Sequence, residues 1–151
     1  MPPSKRSSST SKSRRPSLSR LDVDEALLAL LIGAMNANDH VSPEEGARAH
    51  NIIWSMRRFR RKSGETVERL IERMRQLIEE HGPERAVAAA ARALPARLRK
   101  SAFAVAADLV LTDGRLEGSE RRYLIALGHD LTLDSKIING ILEVMRIKNA
   151  V

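Results

Sequence analysis

The chain has 151 residues, of which 42% are hydrophobic, 30% are charged and 3% are aromatic. This composition is typical of one globular domain, and it excludes a membrane-spanning protein because no apolar run reaches the roughly 18 residues that cross a bilayer. The absence of cysteine excludes disulfides and cysteine-ligated metal centres and, together with the lack of a signal segment, favours a cytoplasmic protein.

The net charge of +7 is concentrated at the N-terminus. Residues 1–20 contain six of the 26 basic residues and none of the 19 acidic ones, so the rest of the chain is close to neutral. This segment is rich in Ser, Lys, Arg and Pro, and after Met1 its one large apolar side chain is Leu18. It has too little apolar surface to offset the entropy of ordering. We therefore predict a disordered basic tail over residues 1–20 and a folded domain over residues 21–151.

Capping residues mark the start of the first two predicted helices. Asp22 or Asp24 is placed to cap the first helix. The second helix begins with Ser42 at the N-cap, Pro43 at the first position and Glu45 at the third, as in a capping box. Gly-Pro, Leu-Pro and Asp-Gly pairs separate later helices. The predicted helices cover residues 22–37, 43–62, 65–81, 84–94, 95–112, 117–128 and 135–148.

Apolar residues recur at helical spacing throughout the folded part, and no segment alternates with the period of a strand. The sequence therefore predicts an all-α bundle of about seven helices. Residues 102–111 are apolar nearly all round, which is typical of a helix at the centre of a bundle.

The chain contains an internal repeat. Residues 38–45 align with residues 113–120, and each segment follows an apolar helix and opens a new one. Each has an Asx residue at the turn, then an aliphatic residue (Val41 or Leu116), then a glutamate. Two matched turns of this kind indicate that the fold consists of two related helix–turn–helix halves.

The pattern Asp-Gly-x-Leu-x-x-x-Glu runs from Asp113 to Glu120, after an alanine-rich helix and before an apolar one. It resembles the TerB-like family, which is associated with tellurite resistance, and the resemblance covers roughly residues 22–148. It implies a seven-helix bundle and a non-enzymatic role in the response to tellurite or metal stress. It also implies that acidic residues at the two turns hold a metal cation.

Carried over by the resemblance, the metal-site positions are Asp108, Asp113 and Glu120 in the second half, and Asn38 and Glu45 in the first. Gly33 matches Asp108, so the first half lacks one carboxylate. Asp108 and Asp113 fall near the C-terminal end of a helix, where the backbone dipole disfavours negative charge, and Ca²⁺ or Mg²⁺ would relieve this. The alternative is that Asp113 forms a turn with Gly114 and Glu120 caps the next helix, without a metal.

The basic run, residues 57–62, is a second functional candidate. It suits phosphate or an acidic partner, as the tail does. It also lies at a helix C-terminus close to Glu65, Glu68 and Glu72, so pairing within the chain is the alternative. Its five basic residues are Arg57, Arg58, Arg60, Arg61 and Lys62.

Motifs for catalysis are missing from the sequence. It has no Gly-x-Ser-x-Gly, no His-Glu-x-x-His and no glycine-rich phosphate loop, so no enzymatic activity is predicted. We expect a TerB-like stress-response protein that acts through an unidentified protein partner. A nucleic-acid- or phosphate-associated adaptor that uses the tail and the basic run is the alternative.

Overall fold

The computed structural model describes residues 17–37, 41–111, 116 and 118–151. These residues form eight α-helices and no strand, which confirms the all-α class. The disorder predicted for residues 1–16 lies outside the described residues. Residues 17–20 form a turn in which Leu18 packs against the core, so the packed part of the chain begins before residue 21. The helices are α1 (Val23–Met35), α2 (Pro43–Ser55), α3 (Arg57–Arg60), α4 (Gly64–His81), α5 (Pro83–Ala93), α6 (Ala96–Val110), α7 (Gly118–Asp130) and α8 (Ser135–Lys148).

Helices α1 and α6 form the centre of the bundle. Every residue of α1 from Glu25 to Ala34 is buried, and the helix packs against α2, α4, α5 and α6. Helix α6 packs against α1, α2, α7 and α8, which agrees with the central position predicted from its apolar sequence. The two central helices are the first helices of the two predicted halves, so each half contributes one of them.

Two capping boxes start helices α1 and α2. Asp22, rather than Asp24, caps α1: its Oδ1 accepts a hydrogen bond from the amide of Glu25 at 2.8 Å, and Glu25 Oε1 accepts one from the amide of Asp22 at 3.1 Å. Ser42 and Glu45 make the same reciprocal pair at the start of α2, as predicted. A cap of this type stabilises its helix by about 1 kcal/mol.

The helix predicted over residues 43–62 is broken at Met56, so the described residues form eight helices instead of about seven. Met56 has an extended backbone, with φ −72° and ψ 131°, between α2 and α3. In one continuous helix, Phe59 would lie about 120° around the axis from the buried Ile53. The break turns Phe59 inward, where it is fully buried, and leaves the basic residues of α3 outside.

The alanine-rich helix α5 packs closely against α1, because its small side chains let the two backbones approach. Ala86, Ala89 and Ala90 of α5 are buried in the core. A Cβ atom at Gly33 of α1 would lie 2.7 Å from Cγ2 of Val87, so alanine does not fit there without movement. None of the helices in the described part of the chain is both long and apolar enough to cross a membrane.

Candidate functional site

Asp108, a predicted metal ligand near the end of α6, is held by side chains from two other parts of the fold. Its Oδ1 accepts hydrogen bonds from Lys148 Nζ at 2.8 Å, from Asn149 Nδ2 at 3.0 Å and from Arg48 Nη2 at 3.2 Å. Arg48 Nη2 also donates to the backbone carbonyl of Asp108 at 3.3 Å and to Asn149 Oδ1 at 3.0 Å. These contacts tie α2, α6 and the C-terminal end of α8 together.

The charge of Asp108 is therefore compensated within the protein. Burial favours a higher pKa for Asp108, but the hydrogen bonds from Lys148 and Asn149 and the charges of Lys148 and Arg48 lower the pKa below its ordinary value of 3.8. The carboxylate is ionised at neutral pH and has two cationic partners. No motif in the sequence predicts this network. The one local feature that agrees with it is the lysine in the last turn of α8, where cations are favoured.

The other predicted ligands do not join Asp108 in a described cluster. The Glu45 side chain accepts a hydrogen bond from the backbone amide of Ser42 in the capping box. Glu120 is buried, with 7% of its surface exposed, in the first turn of α7. Asp113 and Asn38 lie outside the described residues. Among the described residues, no three His, Asp or Glu side chains are grouped so that they would hold a metal ion. Asp108, Glu45 and Glu120 by themselves do not form a cation site, and the metal site that includes Asp113 stays a prediction.

The two halves contact each other through matched positions. In the alignment that places Gly33 opposite Asp108, Arg48 falls opposite Tyr123. Arg48 reaches from α2 to the Asp108 carbonyl of α6 at 3.3 Å, and Tyr123 reaches from α7 to the Leu30 carbonyl of α1, where its hydroxyl donates at 2.6 Å. In each half, therefore, one side chain of the second helix donates a hydrogen bond to a backbone carbonyl on the central helix of the other half.

Gly33 of α1 is in close contact with Tyr123 as well as with Val87. A Cβ atom at Gly33 would lie 3.3 Å from the Tyr123 hydroxyl and 3.4 Å from its ring. Burial raises the pKa of Tyr123, and the charge of Asp130 raises it further, so the hydroxyl stays protonated and acts as a hydrogen-bond donor. A cleft of about 530 Å³ lies beside this contact, between α1, α5 and α7, and Asn36 and Arg122 are among its polar residues.

The basic run pairs with α1 instead of with the glutamates that follow it. Asp24 of α1 accepts from Arg58 Nε at 2.7 Å and lies 3.1 Å from Lys62 Nζ. Burial raises the pKa of Asp24, but these two partners outweigh it and lower the pKa below its ordinary value. Arg57 and Arg61 line the same concavity of about 320 Å³ and have no ion-pair partner among the described residues. This side of the molecule therefore carries uncompensated positive charge.

Comparisons of the chain with protein-family models, with curated proteins and with solved structures find no match in any of the three. The TerB-like resemblance stays a prediction.

Proposed function

We propose that this chain is a TerB-like, non-enzymatic stress-response protein that acts through contacts with other proteins. The observation that carries the proposal is the reciprocal contact between the halves, in which Arg48 and Tyr123 occupy matched positions. Helices α2 and α7 each have 13 residues, and each follows one of the two central helices. Both features support the two related helix–turn–helix halves that the internal repeat indicates, and a two-part helical bundle is compatible with the TerB-like resemblance.

The non-enzymatic part of the proposal is supported by how the conspicuous polar groups are used. The Asp108 carboxylate accepts hydrogen bonds from an arginine, a lysine and an asparagine side chain. Glu45 caps a helix, and the Tyr123 hydroxyl donates a hydrogen bond to a backbone carbonyl. Each of these three side chains is fixed by hydrogen bonds within the fold, which supports a structural use of these groups.

Survival under stress tests this proposal. Cells that lack the gene for this chain are challenged with tellurite and with divalent metals, with and without the gene restored. Lower survival of the deletion cells, restored by the chain, is expected. Equal survival of deletion and restored cells under all of these challenges would refute the stress-response function.

Cation binding at the acidic turn is a separate part of the proposal and needs its own test. The full chain is titrated by calorimetry with Ca²⁺, Mg²⁺, Mn²⁺ and Zn²⁺ beside Asp113→Asn and, as a matched control, Glu79→Gln on the exposed side of α4. Saturable heat that is lost only in Asp113→Asn would support a cation site. Absence of heat would leave the turn as helix-capping structure and remove the cation from the proposal.

A second candidate function is an adaptor that binds a nucleic acid or another phosphate-rich partner. The observation that favours it is the basic concavity, where Arg57 and Arg61 have no ion-pair partner among the described residues. The N-terminal tail adds six basic residues without an acidic one, and such a charge distribution attracts phosphate backbones.

Binding of labelled single-stranded DNA, measured by fluorescence anisotropy over a range of salt concentrations, tests the adaptor function. The logarithm of the affinity is expected to fall with the logarithm of salt by about 0.7 for each phosphate contact. Arg57→Gln is expected to reduce this slope, whereas Arg121→Gln on the exposed side of α7 serves as the control. Equal slopes for the two variants would count against the concavity as the contact surface.

A further inference from the structure

Helix α8 is the least buried helix of the bundle, although it is rich in large apolar residues. None of its described side chains is buried, and Val144 and Ile147 are 58% and 59% exposed. It packs mainly on α6, and Lys148 and Asn149 fix its C-terminal end to Asp108. Much of its apolar surface is therefore left in contact with solvent.

An open groove of about 620 Å³ lies between α6 and α8. Asp108 and Lys148 join the C-terminal ends of the two helices, and Lys100 and Lys136 line the groove toward their N-terminal ends, so the two helices run in the same direction. A Cβ atom at Gly140 would meet no described atom within 4 Å, which shows that the groove is open there. The lining residues are Lys100, Ser101, Ala104, Lys136, Ile137, Gly140, Ile141, Val144 and Met145.

The charges around the groove indicate the chemistry of its occupant. Lys100 and Lys136 lie toward the N-terminal ends of α6 and α8, and both are exposed. Neither has an ion-pair partner among the described residues, and no acidic residue is among those that line the groove. An apolar groove with positive charge at one end is complementary to an amphipathic helix with acidic side chains.

Two occupants from this chain itself fit less well. The N-terminal tail is basic and has almost no large apolar side chain, so the two lysines would repel it. A second copy would bring another α8 against the groove, and α8 has three basic residues and one acidic residue, Glu143, which is paired with Arg146. Like charges would then face each other across the contact.

We propose that the groove between α6 and α8 binds an acidic amphipathic helix of a partner protein. The apolar side chains of that helix pack against Ile137, Ile141 and Val144, and its carboxylates lie near Lys100 and Lys136. The inference rests on the proposed function, because it names the class of partner for the protein contacts proposed above.

The probe is a synthetic peptide of about five helical turns, with leucine at positions i, i+3, i+4 and i+7 and glutamate elsewhere. Its affinity for the full chain is measured by calorimetry beside a scrambled peptide and a peptide with lysine in place of glutamate. The acidic amphipathic peptide is expected to bind, and the two comparison peptides are expected to bind at least about tenfold more weakly. Equal binding of all three peptides, or no binding of the first, would overturn the proposal.

Matched variants locate the site. Val144→Ser is expected to weaken peptide binding about tenfold, whereas Ile125→Ser, which removes an equally exposed apolar side chain from α7, is expected to leave it unchanged. Lys136→Glu is expected to weaken binding about fivefold or more, with Arg121→Glu as its control. Circular dichroism and urea unfolding confirm that each variant is folded. Equal effects of a variant and its control would overturn the assignment to this groove.

Two further measurements distinguish other occupants. Sedimentation of the full chain that shows a dimer lost in Val144→Ser would assign the groove to a second copy. Binding to phosphatidylglycerol vesicles that is lost in the same variant, without peptide binding, would assign it to a lipid surface. Either result would overturn the proposal. The survival assay tests the proposed stress-response function independently. If the peptide does not bind but stress protection is intact, only the proposal that the groove is a binding site is refuted.

Discussion

Replacing Gly33 by alanine adds one methyl group where α1 lies close to Val87 of α5. The new Cβ atom would lie 2.7 Å from Cγ2 of Val87, whereas carbon atoms in ordinary contact are roughly 3.5–4.0 Å apart. Val87 is buried, and its β-branched side chain is held in one rotamer in a helix. The contact therefore has to be relieved by movement of α5 against α1.

The expected loss of stability follows from three contributions. Overpacking of this kind costs about 1–3 kcal/mol. Displacement of Tyr123, whose hydroxyl lies 3.3 Å from the new atom, weakens its hydrogen bond to Leu30 and costs up to about 1 kcal/mol. The greater helix propensity of alanine stabilises the folded protein by about 1 kcal/mol. Together these contributions are expected to lower the free energy of unfolding of Gly33→Ala by up to about 3 kcal/mol.

Urea unfolding followed by circular dichroism measures this change, and Gly46→Ala is the matched control. Gly46 is also inside a helix, but a Cβ atom there would meet no described atom within 4 Å. Gly46→Ala is therefore expected to stabilise the protein by about 1 kcal/mol. In a Val87→Ala background the cost of Gly33→Ala is expected to disappear, because the clashing methyl group is gone. Equal stabilisation by Gly33→Ala and Gly46→Ala would refute the close approach of α1 and α5.

Three further substitutions test individual contacts. Asp108→Asn is expected to destabilise the fold by about 1 kcal/mol at neutral pH, because Lys148 loses its charged acceptor. The pKa of Asp108 is lowered in the folded protein, so its stabilising contribution is present above the ordinary value of 3.8 and is lost as the pH falls through the folded pKa. Urea unfolding of the wild type and the variant should therefore converge in acid, and a constant difference would contradict the ion pair. Tyr123→Phe removes the 2.6 Å hydrogen bond to Leu30 and is expected to cost about 1 kcal/mol in the same assay; an unchanged midpoint would contradict its role. Asp24→Asn leaves two basic side chains unpaired and is expected to raise the affinity for labelled single-stranded DNA about threefold at low salt, and an unchanged affinity would weaken the adaptor function.

Most of the helices could be predicted because their signals are local. The Ser42 capping box involves residues three apart, and the apolar stripe of α4 repeats within a few turns, so both are visible in a short stretch of sequence. The break at Met56 could not be predicted in this way. It depends on burial of Phe59 in a core that other helices supply, and no proline or glycine marks it.

The partners of Asp108, the predicted metal ligand, could not be predicted from local sequence patterns. Asp108 pairs with Arg48 and Lys148, which lie on different helices and far from it in the chain. With 26 basic residues in the sequence, any of many cations was an equally good partner before the helices were placed. A carboxylate near the C-terminal end of α6 was expected to lack a compensating charge because only the helix dipole was taken into account. The ion pairs with Arg48 and Lys148 supply that charge.

The difference between the two halves at Gly33 and Asp108 has an explanation in packing. Each position lies near the point where the second helix of the other half reaches the central helix, and the two arriving side chains differ. Tyr123 and Val87 both pack against Gly33, where a Cβ atom would lie 3.3 Å from the Tyr123 hydroxyl and 2.7 Å from Cγ2 of Val87. Arg48 is cationic and half-buried, and it needs an anion, which Asp108 provides. The glycine of the first half is therefore matched to Val87 and Tyr123, and the aspartate of the second half is matched to Arg48, so packing accounts for the difference between the two positions.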